Sequence, residues 1–155
     1  MKNHTFSFML LCLLAVNMWG CQASPPSVDG APGIGDPYYP SLGNGGYDVQ
    51  SYTITLAIYP PANTIKGSTT ISATATEALA SFNLDFHGLI IDAVTVNKKT
   101  AQFSRKDDEL TITPAKPLKL DKPFTVMVEY HGSPESVLSQ AIPVQVGWSH
   151  TDNGA

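Results

Sequence analysis

Apolar and polar residues alternate along most of the chain after Gly46, and this pattern most constrains the fold. From residue 47 to residue 59 two sets of side chains alternate. One set is Tyr52, Ile54, Leu56 and Ile58, and the other is Ser51, Thr53 and Thr55. A period of two places the two sets on opposite faces of an extended chain. The stretch is therefore predicted to be a β-strand with one buried face.

Six further segments repeat this pattern between turns that contain Pro, Gly, Asn or Asp. They are residues 65–76, 82–86, 90–96, 101–105, 109–113 and 124–130. The charged turn Lys106-Asp107-Asp108 separates two of them at hairpin spacing. Seven strands with a turn about every eight to twelve residues predict an all-β domain. Such a domain is either an antiparallel β-sandwich or a barrel.

The first 20 residues are typical of an export signal. Lys2 supplies a positive charge, and residues 6–16 form an uncharged apolar run. A helix that crosses a bilayer needs roughly 20 apolar residues, so this run is too short to span one well. We predict a cleaved signal peptide over residues 1–20.

The end of this signal suggests a lipid anchor. Met18-Trp19-Gly20-Cys21 resembles the lipobox of bacterial lipoproteins, in which diacylglycerol is attached to the cysteine before cleavage. Two acyl chains anchor a protein stably. We therefore expect lipidation at Cys21 and a location in the cell envelope, at the outer membrane or cell surface. An ordinary signal peptide, an incidental Cys21 and a secreted product remain the alternative.

Both flanks of the strand region lack its periodicity. Residues 21–46 are rich in Pro, Gly and small polar residues, which predicts a flexible tether without strands, from which Tyr38 and Tyr39 could contact the domain. Residues 133–146 are predicted to be a loop. Because no further strand is recognisable after it, the domain of residues 47–155 is expected to be incomplete at its C-terminus.

Charge and cysteine content exclude several functions. The net charge is −4, which gives no electrostatic support for a nucleic-acid partner. The two cysteines are Cys12, inside the signal, and Cys21, the predicted lipidation site. The mature chain would therefore have no disulfide, no thiolate nucleophile and no cysteine-ligated zinc.

Residues for catalysis or metal binding are scarce in the predicted domain. His87, His131 and His150 lack a second ligand-type residue at helical spacing, and no His-Glu-x-x-His arrangement occurs. His87 and His131 are expected to be surface or strand-capping residues. Residues 107–109 (Asp-Asp-Glu) lack the spacing of a calcium loop and are expected to form a solvated turn. No serine lies in a Gly-x-Ser-x-Gly elbow. We predict no catalytic, metal-binding or cofactor-binding residue in this chain.

An ordered set of stretches resembles the N-terminal domain of aminopeptidase N-type zinc metallopeptidases. The opening is DPYYP at 36–40, GNGGYDV at 43–49 and YTITL at 52–56. The later stretches are IKG at 65–67, FNLDF at 82–86, residues 90–97, and FTVMVEYHG at 124–132. Together they extend the resemblance over residues 36–155.

The resemblance implies a saddle-shaped β-sandwich that packs against a thermolysin-like catalytic domain. The family's zinc ligands, general base and Gly-x-Met-Glu-Asn motif lie downstream of this region, and no position here matches them. The resemblance therefore implies a non-catalytic scaffold domain, whose partner is the catalytic domain of the same parent chain, with zinc in that missing domain. A stand-alone surface lipoprotein that binds a partner is the alternative, and a small hydrolase, which lacks a candidate nucleophile, ranks third.

Overall fold

The computed structural model describes residues 26–39, 43–138 and 144–151. Within these ranges the chain forms strands and one 3-10 turn at Pro60–Ala62, with no α-helix and hence no helix that could span a membrane. The strands are β1 (Val28–Asp29), β2 (Tyr47–Tyr59), β3 (Thr64–Ala75), β4 (Leu79–Asp85), β5 (Ile90–Val96), β6 (Lys99–Thr100), β7 (Gln102–Lys106), β8 (Glu109–Thr113), β9 (Pro123–Gly132), β10 (Ser136–Leu138) and β11 (Gln145–Gly147).

Two sheets pack face to face as a β-sandwich. The larger sheet has the order β2-β3-β9-β5-β6, and its neighbouring strands are antiparallel. The smaller sheet has the order β1-β4-β8-β7, in which β1 runs parallel to β4 and the other pairs are antiparallel. The antiparallel β-sandwich predicted from the alternation is confirmed.

The core lies between the two sheets and contains the inward side chains of their central strands. Phe124, Val126, Val128 and Tyr130 of β9 are all buried, as their alternation predicts. An aromatic group closes one end of the core. The ring of Phe82 lies 5.8 Å from Tyr47 and 5.3 Å from Phe124, and both pairs are tilted or edge-on.

The polar residue Asn83 of β4 is buried and has hydrogen-bond partners inside the sandwich. Asn83 alternates with the apolar residues Phe82 and Leu84, a pattern that predicts an exposed side chain, yet it is only 6% exposed. The side-chain Nδ2 of Asn83 donates to the Gly30 carbonyl at 3.0 Å. The backbone carbonyl of Asn83 accepts a hydrogen bond from the Tyr47 hydroxyl at 2.7 Å. Partners of this kind remove most of the cost of burying an amide.

The structure corrects the expectation that no strand precedes Gly46. Val28–Asp29 pairs with the start of β4, and the Ser81 hydroxyl donates to the Asp29 carboxylate at 2.6 Å. Two residues are too few to show a period, so periodicity alone could not reveal β1. Tyr38 is 85% exposed and does not dock on the sandwich.

The loop prediction for residues 133–146 is also wrong in part. β10 and β11 form a short antiparallel hairpin there, separate from both large sheets. The chain after it returns to the turn between β2 and β3, where the Trp148 indole donates to Asn63 Oδ1 at 2.8 Å. His150 Nε2 lies 2.9 Å from the Pro60 carbonyl oxygen. The predicted signal peptide and Cys21 lie outside the described residues.

Candidate functional site

The two sheets differ in length, and this difference leaves a cleft. β2 has 13 residues and β3 has 12, whereas the opposing strands β4 and β8 have 7 and 5. At about 3.3 Å per residue, β2 extends roughly 20 Å further than β4. The smaller sheet therefore covers only part of the inner face of the larger one.

A β-bulge keeps the apolar side chains of β2 on this inner face. Val49 pairs with Ala73 and Ser51 pairs with Ser72, so Gln50 is an extra residue in the ladder. A one-residue shift moves the following side chains to the other face. As a result, the side chain of Val49 points to the same side of the sheet as Tyr52, Ile54, Leu56 and Ile58. Without the bulge, odd-numbered and even-numbered residues would point to opposite sides.

Beyond the bulge these side chains form an exposed apolar row. The row consists of Tyr52, Ile54, Leu56 and Ile58, which are 60%, 63%, 42% and 47% exposed. The sequence predicted the correct face but also predicted that it would be buried. β2 is the edge strand of its sheet, and the smaller sheet leaves these side chains exposed.

Tyr52, Ile54 and Leu56 of the apolar row form one side of a cleft of about 650 Å³. Phe86, His87 and Leu89, which follow β4, line the opposite side. Tyr130 lies between the two sides. Its ring is 5.7 Å from Phe86, edge-on, and its hydroxyl is 3.1 Å from the Thr69 hydroxyl.

Charged groups lie at the rim of this cleft. His87 Nδ1 is 2.8 Å from Asp108 Oδ1, and both side chains are exposed. Arg105 donates to the Leu89 carbonyl at 2.6 Å and lies 5.8 Å from the centre of the Phe86 ring. These contacts hold the far wall of the cleft in place.

No Ser-His pair lines the cleft in the described part of the chain. No serine is among its lining residues, and His87, the histidine that lines it, contacts only the Asp108 carboxylate among the described side chains. Burial is the main cause that raises the pKa of Tyr47 far above its ordinary value. The nearby Tyr52 and the carboxylates of Asp85 and Glu109 raise it further. The Tyr47 phenol therefore stays protonated as a hydrogen-bond donor and cannot act as a base near neutral pH.

A zinc site does not fit the residues that the structure describes. Among them no group of three His, Cys, Asp or Glu side chains could hold a metal ion. His87 and His131 are exposed, as predicted, and each pairs with one carboxylate, Asp108 and Asp92 respectively, at 2.8 Å. At the start of β8, burial is the main cause that raises the pKa of the Glu109 carboxyl, and the nearby negative charge of Asp85 is the second. We derive no reaction step through zinc in this chain.

Aliphatic and aromatic side chains form much of the lining of the cleft. Its exposed aliphatic and aromatic side chains can gain free energy by burial against a complementary surface, at about 25 cal/mol per Å² of apolar area. The alternation in β2 predicts the apolar face but not the cleft, because exposure of the row depends on the length of a sheet formed by other segments.

The sandwich is shared with known proteins. The peptidase M1 N-terminal domain matches residues 48–139. The M1 zinc metallopeptidase from Deinococcus radiodurans is 28% identical over 76% of this chain and 27% of that chain, with a TM-score of 0.67. A mutant of that enzyme bound to a Tyr-Ser-Ala substrate is also 28% identical, over 77% and 27% of the two chains, with a TM-score of 0.66.

The match covers the strand region and only a part of those enzymes. This chain spans about a quarter of the length of the M1 structures that it resembles. No curated protein matches it. The resemblance that the ordered strand motifs indicate is confirmed, and the chain belongs to the peptidase M1 N-terminal domain family.

Proposed function

We propose that this chain is the non-catalytic N-terminal domain of an exported zinc metallo-aminopeptidase, and that it serves as scaffold and interface for a catalytic domain outside this chain. The exposed apolar row of β2 carries the proposal. A sheet face with four large, contiguous apolar side chains is unfavourable in water and is typical of a surface that another domain covers. The family match and the likeness to M1 zinc metallopeptidases support the choice of that domain.

In the same proposal the catalytic chemistry belongs to the partner domain. Zinc is bound there, since the described part of this chain offers no group of ligands for it. The protein is exported and anchored by acyl chains on Cys21. The anchor places the sandwich at the membrane, with no role for nucleic acid.

The first test is the size and content of the native gene product. We expect the coding sequence past codon 155 to contain a His-Glu-x-x-His segment, and an antibody to this domain to detect a protein far larger than 16.6 kDa. This chain alone should hydrolyse no alanine 4-nitroanilide, with or without added zinc. A stop after codon 155 and a native protein near 16.6 kDa would replace the proposal with the stand-alone binding lipoprotein.

A second test addresses the interface in the parent enzyme. Ile54→Asp places a charge in the apolar row, whereas Thr53→Asp places the same charge on the opposite face of the same exposed strand. We expect Ile54→Asp to lower the thermal stability of the enzyme and its aminopeptidase activity, and Thr53→Asp to leave both nearly unchanged. Equal effects of the two substitutions would show that the row does not face the catalytic domain.

A further inference from the structure

Positive charge in this acidic chain is concentrated at one end of the sandwich, which we call the lysine end. The whole sequence has nine Lys and Arg residues. Five exposed lysines lie at this end, in the turn before β6, in the first residue of β6 and in the loop between β8 and β9: Lys98, Lys99, Lys116, Lys119 and Lys122. The acidic residues at this end are Glu77 and Asp121 of the adjoining turns, Asp29 of β1 and Asp48 of β2, so the five lysines outnumber them by one.

The lysines are held close together by backbone contacts. Four of them, Lys99, Lys116, Lys119 and Lys122, line one depression of about 270 Å³. The loop is fixed to β4, since Leu118 and Leu79 exchange two backbone hydrogen bonds of 2.8 and 3.0 Å. The β5–β6 turn is fixed to β9, since Thr125 N donates to Asn97 Oδ1 at 3.0 Å. Among the described residues, the two ion pairs both involve histidines and none of these lysines.

The N-terminal segment joins the domain at the same end. Val28 of β1 pairs with Leu79, the residue that also pairs with Leu118 of the lysine-bearing loop. Val28 is seven positions after Cys21 in the sequence, and seven Cα–Cα steps can span at most about 25 Å even when fully extended. An anchor at Cys21 would therefore keep the lysine end within about 25 Å of the membrane.

The opposite end of the sandwich has the opposite charge. The hairpin end of β7 and β8 and the adjoining end of β4 carry four acidic residues against two basic ones, Arg105 and Lys106. The acidic residues are Asp85, Asp107, Asp108 and Glu109. An anionic surface would therefore attract the lysine end and repel this one.

We propose that the lysine end binds anionic lipid headgroups of the membrane in which the Cys21 acyl chains are inserted, and so orients the domain with its acidic end away from the bilayer. The proposal rests on the lipid anchor of the proposed function. Attraction of a lysine to an anionic leaflet fades within the Debye length, about 8 Å at physiological salt. The short tether supplies the closeness that this attraction requires, because it raises the effective concentration of the lysine end at the surface.

Lysine footprinting on vesicles tests the orientation. The exported chain, purified from bacterial membranes, is reconstituted in vesicles of phosphatidylcholine alone or of phosphatidylcholine with phosphatidylglycerol, acetylated briefly and analysed by mass spectrometry. We expect the anionic vesicles to reduce labelling of the five lysines severalfold, and high salt to restore it. Lys66 and Lys106, away from the lysine end, serve as internal controls and should be labelled equally in both. Equal labelling of the five lysines in the two vesicles, or equal protection of all seven, would overturn the proposal.

A charge-reversed variant tests whether the lysines act together. With Lys116→Glu, Lys119→Glu and Lys122→Glu combined, Lys98 and Lys99 should lose their protection on anionic vesicles. Protection that persists in this variant would contradict the proposal. Protection of the lysines on neutral vesicles only after polyphosphate is added would also contradict the proposal. The ligand would then be a soluble polyanion rather than a lipid headgroup.

The mass of the N-terminal peptide separates this proposal from the lipid anchor. A peptide without acyl chains on Cys21 would refute the anchor. The same non-acylated protein would then be sedimented with the two kinds of vesicle. Salt-sensitive sedimentation with the anionic vesicles and not with the neutral ones would support lipid binding by the lysine end. If the protein sedimented with neither kind of vesicle, lipid binding by the lysine end would be refuted as well.

Discussion

Gly67 lies between two residues that line the cleft, Leu56 and Tyr130, and replacing it with alanine should destabilise the domain. It pairs with Leu56 on one side and with Tyr130 on the other. A Cβ at this position would lie 2.8 Å from Tyr130 Cε2 and 2.9 Å from Leu56 Cδ1, closer than carbon atoms approach without displacement. Leu56 is 42% exposed and can move aside. Tyr130 is buried, with its ring against Phe86 and its hydroxyl beside Thr69, so the strain falls on it.

Two opposing effects set the magnitude of this change. In a strand interior, alanine is normally more favourable than glycine by about 0.5–1 kcal/mol. Overpacking of a well-packed core costs about 1–3 kcal/mol. We expect the second effect to win, with a net destabilisation of about 1–2 kcal/mol for Gly67→Ala. For a domain of this size that loss lowers the Tm by roughly 5–10 °C.

Thermal and urea unfolding of the full chain, followed by circular dichroism, would measure this loss. The control is a double-mutant cycle with Tyr130→Ala, which removes the ring that the new methyl group would meet. In that background Gly67→Ala should be neutral or mildly stabilising. A Gly67→Ala variant as stable as the parent chain, or one with the same loss in both backgrounds, would refute the reasoning.

Three further predictions follow from exposure, burial and charge. Ile54→Lys should reduce self-association of the isolated chain in analytical ultracentrifugation, because a charge on an exposed edge strand opposes pairing, and Thr53→Lys should reduce it less if the apolar face drives association. Phe82→Ala, at a position with 0% exposure, should cost about 3–5 kcal/mol in urea unfolding, and a loss below 1 kcal/mol would contradict its place in the core. The pKa of Glu109 is raised by burial and then by Asp85, so its protonated form stabilises the fold at low pH and that stabilisation is lost as the pH rises through the folded pKa. Glu109→Gln should therefore raise the Tm more at pH 7 than at pH 4, and an equal change at both would argue against the shift.

The sequence predicts the strands well where each carries its own period. Residues 90–96 and 109–113 coincide with β5 and β8, and the hairpin at residues 106–108 is present. In each case local alternation and a turn are sufficient, since side chains of one face enter the core whatever their partners are. The structure also explains why the IKG stretch has a glycine at position 67, because Tyr130 occupies the space that a side chain would need there.

The sequence does not predict features that depend on distant segments. β1 has two residues, and it forms because the edge of β4 offers backbone groups at Ala78 and Ser81 for Val28 and Gly30. The lysine end is equally hidden. Lys98 and Lys119 are about twenty residues apart in sequence, and only the pairing of β4, β5 and β9 with their connections places them at one end.

The position of β1 links the two proposals of function. β1 runs parallel to β4, so the chain from Cys21 reaches the sandwich at the start of β4, beside the lysine end. The cleft rim residue His87 follows the other end of β4, where the acidic turn lies. A domain held by its lysine end would therefore direct this part of the cleft away from the bilayer. In that orientation a catalytic domain docked on the apolar row would lie beside or above the sandwich, where peptides in the surrounding medium can reach it.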